Sequence, residues 1–515
     1  MPKKGHNSAL EPAVAGRSVL IIGAGVSGLS VGCYLQMNGF DTEIFEMHNL
    51  PGGVCTAWKR EGYTFDGCIH WLMGSGPSSN MHQLWRELHA VQGRRFVEWD
   101  EYMRVGISSG ETFTIYTDPA RLQEEMLRLA PQDAKLIGRL CGAIRRFSTI
   151  DMPVTTEKMG LLERLGYFLP WLALGPAMKT WGTMNVQTFC SRLKSRSLAE
   201  ALGTLFGGEG SMPDFPVAGL IMMLAFMHKK SSGYPIGGSL EFARAIERRY
   251  RELGGRIRYN ARVERILVQE GKAVGVLCAG QEHRAEEVIS CADGHATLYD
   301  MLEGRYLSPA LRTAYETYPV FPSLIYVGLG IGRDLHDKPA ASVFPLKKPI
   351  VLEDGALTLN RLGVRLFNFD PTMAPEGKTS AIVMIESRNL AFWRGLRDTD
   401  PARYREEKRK VGELVVEALE EELGGIRSSV EVVDVATPAT WHRFTGNWQG
   451  SYEGFLPTRK TMMKSLGFTL PGLGNFYMHG QWVAVGGGLP PAGMNGRALA
   501  RILCKKHGKR FTATE

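Results

Sequence analysis

Residues 17–46 read RSVLIIGAGVSGLSVGCYLQMNGFDTEIFE, which is the pattern of a βαβ unit. The run VLII at 19–22 contains only apolar residues, as expected of a parallel strand that is buried on both faces. Apolar residues at helical spacing follow this run, and a second short strand is predicted over 42–45. Two strands joined by a helical crossover predict an α/β fold built on a Rossmann-type sheet.

The turn between the first strand and the helix carries Gly23, Gly25 and Gly28 in the spacing G-x-G-x-x-G. The first glycine permits a tight turn, the second lets a pyrophosphate approach the backbone, and the third lets the helix lie close to the strand. Ser27 lies in the same turn, at the helix N-terminus, where free N–H groups attract negative charge. Glu46 ends the second strand at the spacing of an acid that binds an adenosine ribose. We therefore predict a dinucleotide site at these residues.

The composition is that of a globular protein large enough for two or three domain-sized units, with 515 residues of which 44% are hydrophobic. The formal net charge is +8, but the densest basic cluster, 403–410, also contains glutamates at helical spacing. That pattern favours a solvated helix face over a nucleic-acid-binding surface, so no nucleic-acid partner is predicted. The basic tail at 505–510 is a candidate for contact with anionic lipid headgroups.

The eight cysteines form no C-x-x-C pair and no Cys/His cluster with zinc spacing, so we predict reduced thiols and no metal site. The N-terminal residues lack the apolar core of a signal peptide, and no run reaches the roughly 18 apolar residues of a spanning helix. These features predict a cytoplasmic protein, either freely dissolved or peripheral on the membrane.

A second glycine motif follows the βαβ unit in LPGGVCTAWKREGYTFDGCIHWLMG, residues 50–74. It resembles the motif with which FAD-dependent amine oxidases and phytoene desaturase-like enzymes carry the chain past the flavin phosphates. The resemblance implies that Gly52 and Gly53 contact FAD. Leu50 and Pro51 stand where amine oxidases usually have an arginine, so the motif is more similar to the carotenoid desaturase, carotenoid isomerase and retinol saturase branch.

Two further segments resemble parts of the same enzymes. N-A-R-V at 260–263 is similar to the segment whose valine meets the adenine, which implies an adenine contact for Val263. HGQWVAVGGGLPPAGMNGRALA, residues 479–500, resembles the last segment of these enzymes, in which a strand and a glycine turn return to the FAD. The resemblance implies contacts from Gly480, Leu489 and Pro490, with a helix N-terminus that stabilises a reduced, anionic flavin. Gln481 departs from the family pattern, because many relatives have an acid there.

The resemblance implies a Rossmann-type FAD-binding domain assembled from three discontinuous segments, 17–75, 233–300 and 430–505. What remains would form an inserted α+β domain that faces the substrate or the membrane, 76–232 and 301–429. The ends are predicted to be tails, 1–16 and 506–515. The glycine cluster YVGLGIG at 326–332 is interpreted as a strand with a loop. No second dinucleotide site is therefore predicted, and net turnover would need a quinone, oxygen or a transient reductant.

Two apolar segments, 165–178 and 215–228, have three interpretations: ordinary core, the lining of a tunnel for a long apolar substrate, or a monotopic membrane anchor. His228, which ends the second segment, is predicted to lie on a surface or membrane face. Trp448 and Trp482 are candidates for the wall of a substrate channel, although large aromatic residues are equally common in cores.

His70 is the predicted catalytic residue, because the resemblance implies that its segment passes near the flavin ring. A histidine there can relay a proton to or from substrate carbon or flavin N5. The alternative is a core histidine bonded to a backbone carbonyl.

The resemblance implies an FAD-dependent oxidoreductase that acts on carbon–carbon double bonds of a long lipophilic molecule, carotenoid-like or retinoid-like. Desaturation, saturation and cis–trans isomerisation all remain open. One alternative is a flavin-dependent amine oxidase. Another is a non-catalytic, flavin-binding lipid escort protein.

Overall fold

The fold of the chain was obtained as a computed structural model that describes residues 17–151, 154, 169, 172, 174–205, 214–461 and 464–515. Two large sheets organise the molecule: a parallel sheet of five strands and a mixed sheet of seven strands. Helices cover both sheets, which confirms the predicted α/β fold class.

The five-stranded sheet joins the beginning, the middle and the end of the sequence. In spatial order its strands are Arg256–Arg258, Asp41–Phe45, Ser18–Ile22, Glu287–Ser290 and Phe476–Met478. Every neighbouring pair is parallel. A parallel sheet needs cover on both faces, which explains why the central strand, with its almost wholly apolar sequence, is buried nearly throughout.

Three helices approach one another closely beside this sheet: Val26–Met37, Gly238–Glu252 and Leu489–Lys506. Glycines on the helix surfaces make this possible. A Cβ atom at Gly32 would lie 2.7 Å from the ring of Tyr250, and one at Gly496 would lie 2.4 Å from the Ser30 hydroxyl oxygen. The last helix is therefore fitted against the first one.

The seven-stranded sheet has the spatial order Val430–Ala436, Ser323–Ile331, Thr379–Ser387, Leu357–Leu366, Ala341–Leu352, Glu101–Gly106 and Thr112–Tyr116. One face packs against the helices Leu390–Thr399 and Pro401–Leu423. The other face looks toward the five-stranded sheet.

The glycine cluster of 326–332 lies in the strand Ser323–Ile331, as the sequence predicted. Its glycines are required by close packing. A Cβ atom at Gly328 would lie 2.6 Å from the ring of Phe65, and one at Gly330 would lie 2.5 Å from the ring of Tyr63. Because these two positions have no side chains, the strand Tyr63–Asp66, which pairs with Ala57–Arg60, can pack directly on the seven-stranded sheet.

The strand Val430–Ala436 pairs with Ser323–Ile331 at the edge of the seven-stranded sheet. The predicted boundary at 430 had placed this strand with the FAD-binding segments. Antiparallel pairing over most of its length makes it a strand of the seven-stranded sheet, and the segment 430–505 joins the five-stranded sheet at Phe476–Met478. All the predicted domain boundaries, including the one at 430, stay predictions.

The other elements are short sheets and helices around these two layers. The small strands are Ala57–Arg60, Tyr63–Asp66, Leu72–Met73, Phe96–Val97, Ser232–Pro235, Val263–Gln269, Lys272–Cys278 and Gln281–Arg284. The further α-helices are Asn80–Glu87, Pro119–Leu129, Ala134–Phe147, Gly175–Gly182, Val186–Cys190, Arg196–Gly203, Val217–His228, Pro309–Thr317 and Pro438–Thr445. The shorter helical turns are Pro131–Asp133, Ala296–Met301, Glu353–Gly355, Arg427–Ser429 and Trp448–Gly450.

The two apolar segments have different outcomes. The second segment forms the helix Val217–His228, and most of its residues are buried. Half of the first segment, 165–178, lies outside the described residues. Of the described half, Leu169 and Leu172 are 66% and 75% exposed, whereas Leu174 is buried. Within the described part of the chain, no helix combines the length and the apolar character needed to cross a bilayer.

A buried ion pair connects the last helix to the outer part of the molecule. The guanidinium of Arg497 donates to the carboxylate of Glu87 over 2.8 Å, and the two side chains are 2% and 0% exposed. Tyr34 also donates its hydroxyl to Glu87, over 2.9 Å. Because a buried charge without its partner is strongly unfavourable, this pair holds the last helix against the helix Asn80–Glu87, and the Tyr34 hydroxyl joins the first helix to both.

We predict that Arg497→Met lowers the free energy of unfolding by about 3–5 kcal/mol, because it leaves the Glu87 carboxylate buried without its cation. Urea denaturation followed by circular dichroism measures this change. The matched control is Arg409→Met, which removes an exposed ion pair with Glu406 and Glu413. The control should denature like the parent protein, and equal stability of the two variants would show that the buried pair does not hold the helix.

Candidate functional site

A cavity of about 1400 Å³ lies between the two sheets. At one end it is bordered by the glycine turns of the five-stranded sheet, and at the other by the inner face of the seven-stranded sheet. Polar backbone therefore lines one end of the cavity, while mainly apolar side chains line the other.

The two N-terminal glycine motifs lie side by side at the polar end. Gly23 has a φ of 97°, which favours glycine, and its N–H donates to the carbonyl of Phe45 over 2.7 Å. The N–H of Gly52 donates to the carbonyl of Ala24 over 2.9 Å, which joins the second motif to the first. A Cβ atom at Gly25 would have its nearest protein neighbour 3.9 Å away. The space beside Gly25 therefore belongs to the cavity, where a ligand can approach the backbone.

Glu46 lies at the end of the strand beside these turns and is 7% exposed. Its carboxylate accepts hydrogen bonds from the N–H of Ala24 over 2.6 Å and from the N–H of His48 over 2.8 Å. Burial raises the pKa of this carboxyl, whereas the backbone N–H groups oppose that shift. Each carboxylate oxygen has two lone pairs, so the group can still accept the hydroxyls of a ribose at the cavity surface.

Ten of the twelve predicted site residues line the same cavity. They are Gly23, Gly25, Ser27, Glu46, Gly52, Gly53, His70, Val263, Leu489 and Pro490. The other two have packing roles. A Cβ atom at Gly28 would lie 1.9 Å from the carbonyl oxygen of Gly23, and one at Gly480, which has a φ of 115°, would lie 3.2 Å from the hydroxyl oxygen of Ser27. The structure thus brings three distant segments to one place, and their contacts with a cofactor remain predictions.

The C-terminal glycine turn points a helix N-terminus at the cavity. Gly486, Gly487 and Gly488 all have positive φ, and the helix Leu489–Lys506 begins directly after them without a side-chain cap. Gln481 also lines the cavity, so an amide is available where many relatives have an acid. Pro490 and Pro491 have no N–H, so it is the positive end of the helix dipole, with the N–H of Leu489, that favours negative charge here.

These observations fit a dinucleotide. Two glycine turns offer backbone N–H groups, an acid stands at ribose spacing, and the open space beside Gly25 admits a phosphate.

His70 lies in the cavity wall, with its Nε2 buried and without a hydrogen-bond partner among the described residues. Burial, and secondarily the charge of Arg365, lower the pKa of this imidazole well below its usual value. His70 is therefore neutral near pH 7. The catalytic role of His70 and the alternative, a core histidine bonded to a backbone carbonyl, both stay predictions.

Two acids in the cavity wall were missed by the sequence analysis. Burial raises the pKa of Glu453 to about 8 and that of Asp293 to about 7. Asp293 accepts N–H groups from Ala296 over 2.8 Å and from Trp448 over 2.7 Å. Oε1 of Glu453 lies 2.7 Å from the position of a Cβ atom at Gly488, beside the N-terminus of the last helix. No local sequence motif marks either acid, so the sequence alone does not identify them.

The apolar end of the cavity is formed partly by the second apolar segment. Phe215, Gly219, Met222 and Met223 line the cavity, whereas the rest of the helix Val217–His228 packs into the core. This segment therefore contributes both to the core and to the cavity wall, while its roles in a substrate tunnel or a membrane anchor stay predictions. His228 is half-buried, with its Nδ1 3.6 Å from Asp118.

The two tryptophans proposed for the channel have different positions. Trp482 lines the cavity and is 3% exposed. Trp448 is absent from the cavity wall and stacks on His295 with ring centroids 5.2 Å apart. All eight cysteines are free, and no group of metal-ligating side chains occurs among the described residues.

Comparisons with known proteins agree with this geometry. The family model described as NAD(P)-binding Rossmann-like domain matches residues 21–88. A prolycopene isomerase from an Oncidium hybrid cultivar is 26% identical over 459 residues, which cover 84% of this chain and 74% of the isomerase. A 4,4'-diapophytoene desaturase from Methylomonas is 25% identical over 523 residues, which cover 96% of each chain.

Solved structures share the fold over nearly the whole chain. An oxidoreductase from Methanosarcina mazei has a TM-score of 0.59 at 18% identity, with 94% of this chain and 99% of that chain covered. Cyclohexylamine oxidase from Brevibacterium oxydans has a TM-score of 0.55 at 15% identity, with 95% and 99% covered.

We predict that Gly25→Val yields a folded protein without bound dinucleotide. A Cβ atom there lies no nearer than 3.9 Å to any protein atom, and the valine side chain would occupy space that a phosphate needs. Heat denaturation followed by chromatography measures the dinucleotide released per chain. Gly28→Val is the contrasting variant, because its side chain would collide with the carbonyl of Gly23 and should prevent folding. A Gly25→Val protein that retains a full complement of dinucleotide would refute the assignment of the turn.

Proposed function

We propose that this chain, which is similar to carotenoid isomerases and desaturases, is an FAD-dependent oxidoreductase that acts on carbon–carbon double bonds of a long lipophilic polyene. The observation that supports this proposal most strongly is the continuity of the cavity. It joins a dinucleotide cradle made by three distant segments to an apolar wall made by the seven-stranded sheet and the helix Val217–His228.

Each part of the cradle has a definite task when FAD is bound. The backbone at Gly25, Gly52 and Gly53 would lie against the phosphates, because no side chain there blocks their approach. Glu46 would accept the ribose hydroxyls, and Val263 would contact the adenine.

The last segment would hold the other end of the cofactor. Leu489 and Pro490 begin the final helix at the cavity surface, so the positive end of the helix dipole favours negative charge there. The flavin, when bound, supplies hydride transfer between itself and a carbon atom of the substrate. The chain has to orient the polyene, exclude water and manage the accompanying proton.

His70 and Glu453 are the candidate proton carriers. The Glu453 carboxyl is protonated below about pH 8, so its oxygen can hold a proton at neutral pH. The neutral imidazole of His70 presents its unpartnered Nε2 to the cavity, where it can accept or donate a hydrogen bond. Two groups with pKa values moved in opposite directions by burial form a suitable acid and base pair.

The proposal includes a peripheral membrane contact, because a lipophilic substrate would be dissolved in the bilayer. Leu169 and Leu172 are exposed apolar side chains, and such groups favour an apolar phase over water. Net desaturation or saturation would also need an electron acceptor or donor such as a quinone, whereas isomerisation would need no net exchange.

The amine oxidase alternative has the fold in its favour, since cyclohexylamine oxidase shares it. The site favours the polyene instead. Leu50 and Pro51 precede the second glycine pair, where amine oxidases usually have an arginine. The mainly apolar cavity wall also gives a long hydrocarbon more contact than a small amine would use.

We predict that anaerobic incubation of the flavin-loaded protein with lipid extracts changes a polyene component when the flavin is either oxidised, with a quinone present as electron acceptor, or chemically reduced beforehand. Mass spectrometry with chromatography separates the outcomes: two mass units lost for desaturation, two gained for saturation, and altered retention at constant mass for isomerisation. The Gly25→Val protein is the control. Peroxide release with amines, together with unchanged polyenes, would favour the amine oxidase. A flavin that stays oxidised and lipids that stay unchanged would favour an escort protein.

We predict that Glu453→Gln slows turnover by about tenfold or more, as expected for loss of a general acid or base. In the parent enzyme, activity that needs protonated Glu453 should be high below about pH 8 and fall as the pH rises through that value. The pH profile of kcat should lose this limb in the variant, with the flavin content unchanged. An identical alkaline limb in the variant would remove Glu453 from the proton pathway.

A further inference from the structure

Two arginines on one strand of the seven-stranded sheet face the cavity. Arg361 and Arg365 both lie in Leu357–Leu366, an even number of residues apart, and both line the cavity. Arg365 is paired with Ile382 on one neighbouring strand and with Ala341 on the other, and these two residues line the cavity as well. The side chain of Arg365 therefore leaves the sheet on the cavity side.

The two arginines differ in how their charge is compensated. The guanidinium of Arg361 donates to the carboxylate of Glu200 over 2.6 Å, and its side chain is 7% exposed. Arg365 is 6% exposed, yet no carboxylate of the described residues lies within ion-pair distance of it. A buried guanidinium without an anionic partner is unfavourable, so its presence in the wall of an apolar cavity calls for a reason.

The groups that surround Arg365 come from several elements, and all but Asp66 are neutral. Tyr102 interacts with the guanidinium through its hydroxyl, and the ring of Trp99 has its centroid 5.8 Å from the guanidinium carbon. Tyr234 lies farther away, and His70 is close enough for the charge of Arg365 to lower its pKa. None of these neutral groups brings the negative charge that a guanidinium prefers.

Asp66 is the acid that acts on Arg365, and its carboxylate is committed elsewhere. Its oxygens accept from the hydroxyl of Tyr234 over 2.8 Å, from the N–H of Ser239 over 2.9 Å and from the N–H of Cys68 over 3.2 Å. Burial raises the pKa of Asp66, which weakens the carboxylate form further. The guanidinium thus retains donors that can turn toward the cavity.

We propose that Arg365, with Tyr102 and His70 beside it, binds a carboxylate at the end of the substrate, so that this chain acts on a carboxylated polyene lipid rather than on a pure hydrocarbon. The inference rests on the proposed function, because it specifies one end of the molecule that the apolar cavity would hold. A planar guanidinium binds a carboxylate through two parallel hydrogen bonds, and a site from which water is excluded strengthens them. The unpartnered Nε2 of His70 is a further donor when its proton is on that nitrogen.

Binding of matched probes tests this inference without turnover. Geranylgeranoic acid, its methyl ester and geranylgeraniol share one apolar chain and differ only at the end group. Each probe is titrated in detergent into the flavin-loaded protein, and the heat of the detergent alone is subtracted. Calorimetry should show the acid bound at least about tenfold more tightly than the ester. Arg365→Gln should reduce the preference to about twofold or less while leaving the affinity for the ester unchanged.

Arg394→Gln is the matched control, because Arg394 also lines the cavity but its side chain is 57% exposed. This variant should keep the preference of the parent protein. Tyr102→Phe keeps the test available if Arg365→Gln does not fold, and it should weaken the preference by removing the hydroxyl that positions the guanidinium. Equal affinities of the parent protein for acid and ester would overturn the inference and leave the proposed function standing. Failure of all three probes to bind would overturn both.

Discussion

The parallel pairing of Glu287–Ser290 between Ser18–Ile22 and Phe476–Met478 is the constraint on which the rest of the structure depends. It fixes the register of the middle and last parts of the chain against the first. Because loops that follow parallel strands emerge at the same edge of a sheet, all three parts deliver their turns to one place. The buried pair of Arg497 and Glu87 then holds the last helix in position, with its N-terminus at the cavity.

The cavity derives its chemistry from a contrast between its two ends. Backbone N–H groups and Glu46 make one end suited to phosphates and a ribose, whereas methionine, leucine and phenylalanine side chains make the other end suited to a hydrocarbon chain. Burial moves the pKa values of two groups in the wall in opposite directions, lowering that of His70 and raising that of Glu453 to about 8. A site of this kind can hold a lipophilic molecule dry while it places a proton donor and a charged anchor at defined points.

Much of the cradle could be predicted from the sequence because its signals are local. Gly23, Gly25 and Glu46 stand at fixed spacings that a strand, a turn and a helix require, and the positive φ of Gly23 confirms the turn. The position of the final glycine turn came from resemblance, and the sheet register explains it. Glu453 and Arg365 were missed because their importance arises from burial beside residues far away in the sequence. The pairing of Val430–Ala436 could not be predicted for the same reason, since its partner strand lies about a hundred residues earlier.

The central claim is that three distant segments hold one dinucleotide, and hydrogen–deuterium exchange of the flavin-loaded and flavin-stripped protein tests it most directly. The account predicts that flavin slows amide exchange together in three regions: the turns at 23–29 and 52–55, the segment 260–263, and the start of the last helix at 488–492. Exchange at the helix Pro401–Leu423, behind the other sheet, should stay unchanged. Protection confined to the N-terminal turns, with the last helix unaffected by flavin, would contradict the account.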